Sequence, residues 1–339
     1  MNRYDEVYEF RLARKDDIEN IMDFIDTYWK KGHILARDRE FFEYEFLEDD
    51  GTVNFYLAVK KDTQSLEGVQ GVLRASKGKS NTDIWGSIWQ VRDGNLPLLG
   101  IELQLRTDVF FKCRHSLGVG LNTNTTVPLL KKIRHRVIGK MKQYYFLGNC
   151  KEFKVAKIVH FPEQHGRPTE NVDIRRIDSI EELQEKFDFD LYKENVPFKD
   201  AYYINKRFFR YPIYHYDIYG IFSGERIDAF FAVREDEACG RKVLRIVDFL
   251  GERKRFADLY LFFRDMVQEK DYEYIDFYCG GFEEAYILDA GFALRTEDDA
   301  NIIPNYFHPF VQKNIDIYIQ GPFEGALFFK ADADQDRPN

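Results

Sequence analysis

The chain is short of several things, and each shortage excludes something. Its 339 residues include only four cysteines, Cys113, Cys150, Cys239 and Cys279, with no CxxC pair and no zinc spacing. They read as free thiols in a reducing compartment, with no catalytic or metal role. No apolar run approaches the ~20 residues of a membrane span. The first residues are charged rather than apolar, which argues against a signal peptide. A cytoplasmic location is therefore the expectation. Basic clusters are missing too: 49 Lys and Arg stand against 58 Asp and Glu, a net charge of −9, and the cations are scattered. That argues against a protein held on nucleic acid by phosphate contacts.

Aromatic residues are abundant, at 16%, with 31 Phe and 21 Tyr. They suit half-buried pleated surfaces, so substantial sheet is expected. The length allows two domains with a large core. The stretch Trp85–Leu105 (WGSIWQVRDGNLPLLGIELQL) organises the reading. Trp85, Ile88, Trp89 and Val91 suit a buried strand, Arg92-Asp93-Gly94-Asn95 is turn chemistry, and Pro97 suits a first helical turn. A strand that breaks into a helix this way aims unpaired backbone N–H groups at one spot, where an anion binds well.

Before this stretch the pattern gives a strand at Phe10–Ala13, helices around Ile18–Tyr28 and Arg39–Leu47, and strands at Asn54–Lys60 and Gly68–Ala75. After it come a strand at Ser116–Leu121, a helix at Thr125–Ile133 and one or two strands in Arg136–Phe146. Residues 148–172, with Pro162, Gly166 and Pro168, read as a linker. The pattern then restarts. A strand at Ile174–Ile177 is followed by a capping box at Ser179 and Glu182 that opens a helix. Another helix covers Ala201–Phe209, and three strands run from Asp217 to Phe249. A helix at Phe256–Val267, a strand at Tyr274–Tyr278, a short helix and strands near Phe292 and Ala326 complete the chain. Both halves share one order, so a duplicated α/β unit is the economical explanation. The expected fold class is α/β of the α+β type: residues 1–147 form one unit, 148–172 a linker and 173–339 a second unit.

That order resembles the GNAT superfamily of acyl-CoA-dependent N-acyltransferases, in which the loop after the fourth strand holds the CoA pyrophosphate. The resemblance implies two tandem GNAT-like domains, each a mixed, mostly antiparallel twisted sheet flanked by helices. The family's Q/R-x-x-G-x-G/A pattern is degenerate here, in Val91–Gly100, with Gly100 matching its last small residue. Several segments look more specifically like bacterial enzymes that acylate amino sugars for surface polysaccharide. These are Trp29–Asp38 with Phe41-Phe42, the Pro-Leu-Leu-Gly helix start, Val119–Asn122 and the tail Lys330–Asn339. The implied function is transfer of an acyl group from acetyl-CoA or another acyl-CoA to an amino-sugar acceptor, expected to be nucleotide-linked. The rivals are a Fem-type aminoacyl transferase and a non-catalytic, degenerate GNAT protein that binds a sugar or a partner.

On this resemblance Val91, Leu98, Leu99, Gly100 and Ile101 serve CoA through backbone N–H groups, and Asn122 and Asn124 meet the pantetheine arm or cap a helix. His33 is the first candidate for general base, since an unperturbed imidazole titrates near neutrality. Asp248 and Asp276 are the next candidates. Asp38, Tyr278 and Asn305 are candidate acceptor contacts, each with a structural alternative of helix capping, buried hydrogen bonding or turn formation. The second unit has Gly251-Glu252 where the first has its anion loop, so only the first is expected to bind CoA. Asp332, Asp334 and Asp336 lack the glycine and distant glutamate of a calcium loop and read as a solvated acidic tail, without metal. A diphosphate on the acceptor would need local positive charge, for which Arg74, Lys77 and Arg210 are available.

Overall fold

Strand-forming sequence condenses into two large sheets in a computed structural model that describes residues 3–78, 80–134 and 136–339. The first half supplies β1 (Tyr8–Arg14), β2 (Thr52–Lys60), β3 (Leu66–Arg74), β4 (Asp83–Val91), β5 (His115–Val119) and β6 (Ile138–Lys140). After it come β7 (Lys142–Leu147), β8 (Asp173–Ile177), β9 (Asp217–Ser223), β10 (Arg226–Ala238), β11 (Arg241–Gly251) and β12 (Tyr272–Gly280). The short strands β13 (Ala293–Leu294), β14 (Tyr306–Phe307), β15 (Phe310–Val311), β16 (Tyr318–Gln320) and β17 (Phe328–Phe329) follow. Neighbours β1 to β4 run antiparallel and β4–β5 parallel; β8 to β11 run antiparallel and β11–β12 parallel. Each half thus builds a mixed, mostly antiparallel sheet.

The sheets do not divide where the sequence does. Strand order is β1-β2-β3-β4-β5-β16-β6 in the first and β13-β7-β12-β11-β10-β9-β8 in the second. The stretch Arg136–Phe146 splits at Met141: β6 stays with the first sheet and β7 enters the second, between β12 and β13. In return β16 enters the first, between β5 and β6. Each half therefore lends the other one interior strand, a departure from division into 1–147 and 173–339. The strands β14 to β16 carry no long apolar run, and the sequence pattern missed them. Residues 148–172 form no helix or named strand, yet they are held in place. The Glu273 carboxylate accepts hydrogen bonds from the N–H groups of Lys154, Val155 and Ala156 at 2.9, 2.8 and 2.6 Å.

Helices cover both faces of the first sheet, which is why β2 and β3 are buried along almost their whole length. On one face lies helix Leu99–Phe111, packing Leu99 and Leu103 with Tyr56, Val72 and Ile84. On the other lies helix Arg39–Phe46, whose Phe42 and Phe46 rings sit 5.4 and 4.7 Å from that of Phe55. The core on this face continues into the second half: Phe41 meets Tyr211 edge to face at 5.9 Å. Among the described residues no helix is long and apolar enough to cross a membrane.

Candidate active site

Parallel strands β4 and β5 pair only at their beginnings, Asp83 with His115, Ile84 with Ser116 and Trp85 with Leu117, and then diverge. Beyond Trp85 the sheet is split by a V-shaped gap. At the same place β4 carries a bulge. Gln70 faces Trp89 and Val72 faces Gly86, so Ser87 and Ile88 together oppose the single residue Gly71. A bulge leaves a residue outside the ladder and re-aims its groups. Gap and bulge together direct β4 backbone groups into open space rather than towards a neighbouring strand.

A cavity of about 410 Å³ fills the gap. It runs through the sheet from face to face. On the side of helix Leu99–Phe111 it is lined by Ile84, Gly86, Gln104, Thr107 and Asp108. On the opposite side it is lined by Trp29, His33, Phe41, Glu45 and Ser87. The first side suits a pantetheine arm. Gln70 Oε1 and Gln104 Oε1 are buried there without a partner among the described residues, ready to accept from amide N–H groups. Gly86 and Gly118 keep the gap narrow-walled but clear; a Cβ built on Gly86 would lie 3.3 Å from Gln70 Nε2.

On the opposite side the chain's last residues, 334–339, form the wall. The acidic tail expected to be solvated is instead built into the fold, with Asp332 and Asp336 both buried. Asp336 accepts from the guanidinium of Arg234 (2.9 Å) and the hydroxyl of Tyr216 (2.8 Å). Arg337 is held by Glu45 at 3.3 Å. Between them Asp334 points its carboxylate at the bulge, where the Ser87 hydroxyl donates to both oxygens at 3.1 Å. Burial pushes the Asp334 carboxyl up to about 6, although Arg337 and Ser87 pull the other way. A carboxylate that titrates near neutrality at the edge of a cleft is placed to accept a proton. One usable signal for it lies in the sequence. Alternation of Ala331 and Ala333 with aspartates is unlike a freely solvated charged run, because small apolar residues let a backbone pack closely.

The residues singled out in the sequence scatter. His33 does border the cavity, but its Nδ1 accepts from Leu35 N at 3.2 Å and so caps a short helix, and its ring packs on Trp29. Burial, with Lys30 nearby, pushes its pKa down to about 4, which makes a weak base. His33→Ala is therefore expected to keep acyl-CoA affinity and to lower turnover by less than about tenfold, well short of a lost general base; steady-state kinetics check this. Asn305 also borders the cavity, buried, with Oδ1 unpartnered among the described residues. Asn122 borders it as well, while its Oδ1 accepts from the N–H groups of Asn124 (2.9 Å) and Thr125 (3.1 Å). Asn124 lies outside.

Asp248 and Asp276 are corrections. Asp248 is locked to Lys199 Nζ at 2.7 Å and Asp276 to Arg245 through two bonds of 3.0 Å; neither borders the cavity. A strand-end position suggested access, but the two ion pairs face inward. Tyr278 likewise is buried, donating to Ile315 O at 3.2 Å, and Asp38 caps helix Arg39–Phe46 by accepting from Phe41 N at 2.9 Å. Among the described residues no group of three or more His, Cys, Asp or Glu could hold a metal ion.

Val91, Leu98, Leu99, Gly100 and Ile101 stand at the edge of the cavity rather than in its wall. Val91 pairs with Gly68, and Leu99 and Ile101 are buried under the helix they begin. Leu98 takes φ +64°, and the next residue opens the helix. Trp89, which does line the cavity, donates from Nε1 to Gly100 O at 3.0 Å. The first-turn N–H groups thus lie one indole away from the gap, where an anion on a ligand leaving the gap would meet them. A Cβ on Gly100 would touch the Trp89 ring at an ordinary 3.5 Å.

The second half contains the corresponding gap, and it is full. Strands β11 and β12 pair from Lys242–Tyr272 to Ile246–Phe277 and then part. Strand β17 enters alongside β12, pairing Phe329 with Cys279 and Phe328 with Gly280, and Ala331 N donates to Val247 O at 2.9 Å. The same tail that walls the first gap plugs the second. At the end of β11 Gly251, paired with Ala229, has φ +117°, and a Cβ there would lie 2.5 Å from Ala229 Cα. That glycine is required by the backbone, not by a ligand.

No family model matches the chain, and no curated protein does. Solved structures do. A GCN5-related N-acetyltransferase from Anabaena variabilis superposes with a TM-score of 0.58 at 9% identity, covering 92% of this chain and 72% of its own. A conserved Enterococcus faecalis protein described as a probable N-acyltransferase gives 0.53 at 11% identity, covering 94% and 73%. At these identities the likeness establishes the fold: the chain has the architecture of GCN5-related N-acetyltransferases across nearly its whole length.

Proposed function

We propose that the chain transfers an acyl group from an acyl-CoA to the amine of an amino sugar, with Asp334 as general base. The observation that carries the reading is the Asp334 carboxylate hydrogen-bonded to Ser87 at the bulge of β4, where the gap opens. Bound acyl-CoA supplies an activated thioester carbonyl. The chain's residues do the rest. Gln70 and Gln104 accept from the pantetheine amides, and the first turn after Leu98 receives the pyrophosphate. Backbone N–H groups freed at the bulge polarise the carbonyl, as donors fixed in advance of the reaction do. Asp334 takes the proton that the amine must lose. On the acceptor side Asn305 and Tyr306 offer an amide and a phenol, a set that suits a hydroxylated ring, while Glu45 and Asp336 stay paired with Arg337 and Arg234. Use in surface-polysaccharide synthesis rests on the segmental resemblance described for the sequence.

Calorimetry with acetyl-CoA, followed by mass spectrometry of acyl-CoA and amino-sugar pairs, tests the proposal. Saturable heat and an acylated sugar are expected; no heat at millimolar acetyl-CoA would favour a binding protein without chemistry. Gly100→Trp should weaken acetyl-CoA binding about tenfold or more, because the new ring must displace Trp89 from the helix start or occupy the anion's place. Circular dichroism of that variant guards against a folding defect.

A further inference from the structure

Behind the wall formed by Glu45 and Arg337 lies a second, smaller cleft of about 40 Å³. It is lined by Arg74, Lys77, Lys206, Tyr202 and Tyr203, among others, and shares Glu45 and Arg337 with the main cavity. Its charge is not balanced. Arg337 is committed to Glu45, and the buried Arg207 to Asp336 and the Tyr216 hydroxyl. Arg74 bonds Asn54 and lies 3.9 Å from Glu48. That leaves two lysines. Lys206 Nζ donates to Glu45 O at 3.1 Å, and Lys77 Nζ lies over the Tyr202 ring at 5.8 Å. Neither is within salt-bridge distance of a carboxylate among the described residues. Burial pushes the Lys206 ammonium below its ordinary pKa, with Arg337 and Arg74 adding to it and Glu45 and Glu48 pulling the other way. The Tyr203 hydroxyl also borders the cleft, buried and without a partner among the described residues.

Two ammonium groups without a salt-bridge partner among the described residues and the Tyr203 phenol border a space large enough for one tetrahedral anion, beside the Arg74 guanidinium already bonded to Asn54. Each missing partner is an acceptor or a negative charge, and a phosphate supplies both. The main cavity offers no such group: Arg234 is consumed by Asp236 and Asp336, and Arg245 by Asp236, Asp276 and Asn305 O. We infer that the cleft of Arg74, Lys77 and Lys206 binds a phosphate group carried by the acceptor, whose amine reaches Asp334 on the other side of the Glu45–Arg337 wall. The acceptor is then a phosphorylated or nucleotide-linked amino sugar, and this assignment rests on the acyl-transfer reading. Arg210, the third cation available in the sequence, does not line the cleft; Lys206 takes its place.

The test titrates the full chain, saturated with acetyl-CoA, with inorganic pyrophosphate in a calorimeter. Binding is expected, weakened about tenfold or more by Lys77→Gln and by Lys206→Met, with acetyl-CoA affinity unchanged. Lys77 is exposed, so its variant carries little folding risk. Pyrophosphate should also compete with uridine-diphosphate glucosamine and leave free glucosamine unaffected. No binding, or equal binding by both variants, overturns the site. Binding that does not compete with the nucleotide sugar makes the cleft a free-phosphate site and overturns its assignment to the acceptor. If acetyl-CoA itself gives no heat, the acyl-transfer reading fails instead, and pyrophosphate titrated alone still decides the cleft.

Discussion

Asp334→Asn should abolish most of the turnover, by a factor of a hundred or more, while acyl-CoA affinity stays within about twofold. The substitution preserves shape and an oxygen for the Ser87 hydroxyl, so it removes proton affinity rather than architecture. The pH profile gives a second reading of the same residue. With a carboxyl held at about 6, the base is protonated and inactive below that value and ionised above it. The rate of the unmodified protein should therefore rise as pH passes 6 and level off above it. In Asp334→Asn the residual rate should lose that limb. His33 cannot produce the limb, because an imidazole at about 4 is already neutral across the range. A variant that retains full turnover, or that keeps the limb near pH 6, would remove Asp334 from the mechanism.

The sequence carried the elements of the fold more readily than the elements of the site, for a physical reason. Periodicity reports what is near in the chain. The helix after Pro97, the Ser179–Glu182 cap and strands as far apart as β1 and β12 were all legible as local patterns. The gap itself was foreshadowed by Trp85–Gly100, where a buried strand gives way to turn chemistry. Strand exchange was not legible. Nothing in Lys142–Leu147 distinguishes a strand that stays with its own sheet from one that crosses to the other, since each sheet takes its exchanged strand into an interior position with an antiparallel neighbour on both sides. The acidic tail was misread for the opposite reason. Five charged residues in ten argue for solvent unless their partners are known, and the partners Arg207, Arg234, Lys199 and Ser87 lie between about 100 and 250 positions away. Asp248 and Asp276 followed the same logic in reverse: carboxylates at strand ends looked free because Lys199 and Arg245 could not be paired with them from spacing.

Lys199 joins the plugged gap to the open one, and its removal should have the largest effect on stability. Its ammonium is buried between Asp248 and Asp332, 2.7 Å from each. Asp332 in turn accepts from Phe329 N at 2.9 Å, which holds the segment that fills the second gap. Lys199→Met leaves two buried carboxylates facing each other without a cation, and a broken buried pair costs about 3–5 kcal/mol. Asp248 is already pushed up to about 6 by burial and by Asp332 despite the lysine, so the loss falls on a group with little tolerance for charge. Chemical denaturation should show the drop, and adding Asp248→Asn and Asp332→Asn should recover part of it by removing the stranded charges. Function should follow the tail. Asp334 lies two residues beyond Asp332, so a segment released from the second gap no longer holds its carboxylate against Ser87 in the first. Turnover should fall in Lys199→Met while acetyl-CoA still binds, because the lining from Gln70, Gln104 and the helix start does not depend on the tail. If Lys199→Met kept full turnover at reduced stability, the plug would be scaffolding alone, without a part in setting the base.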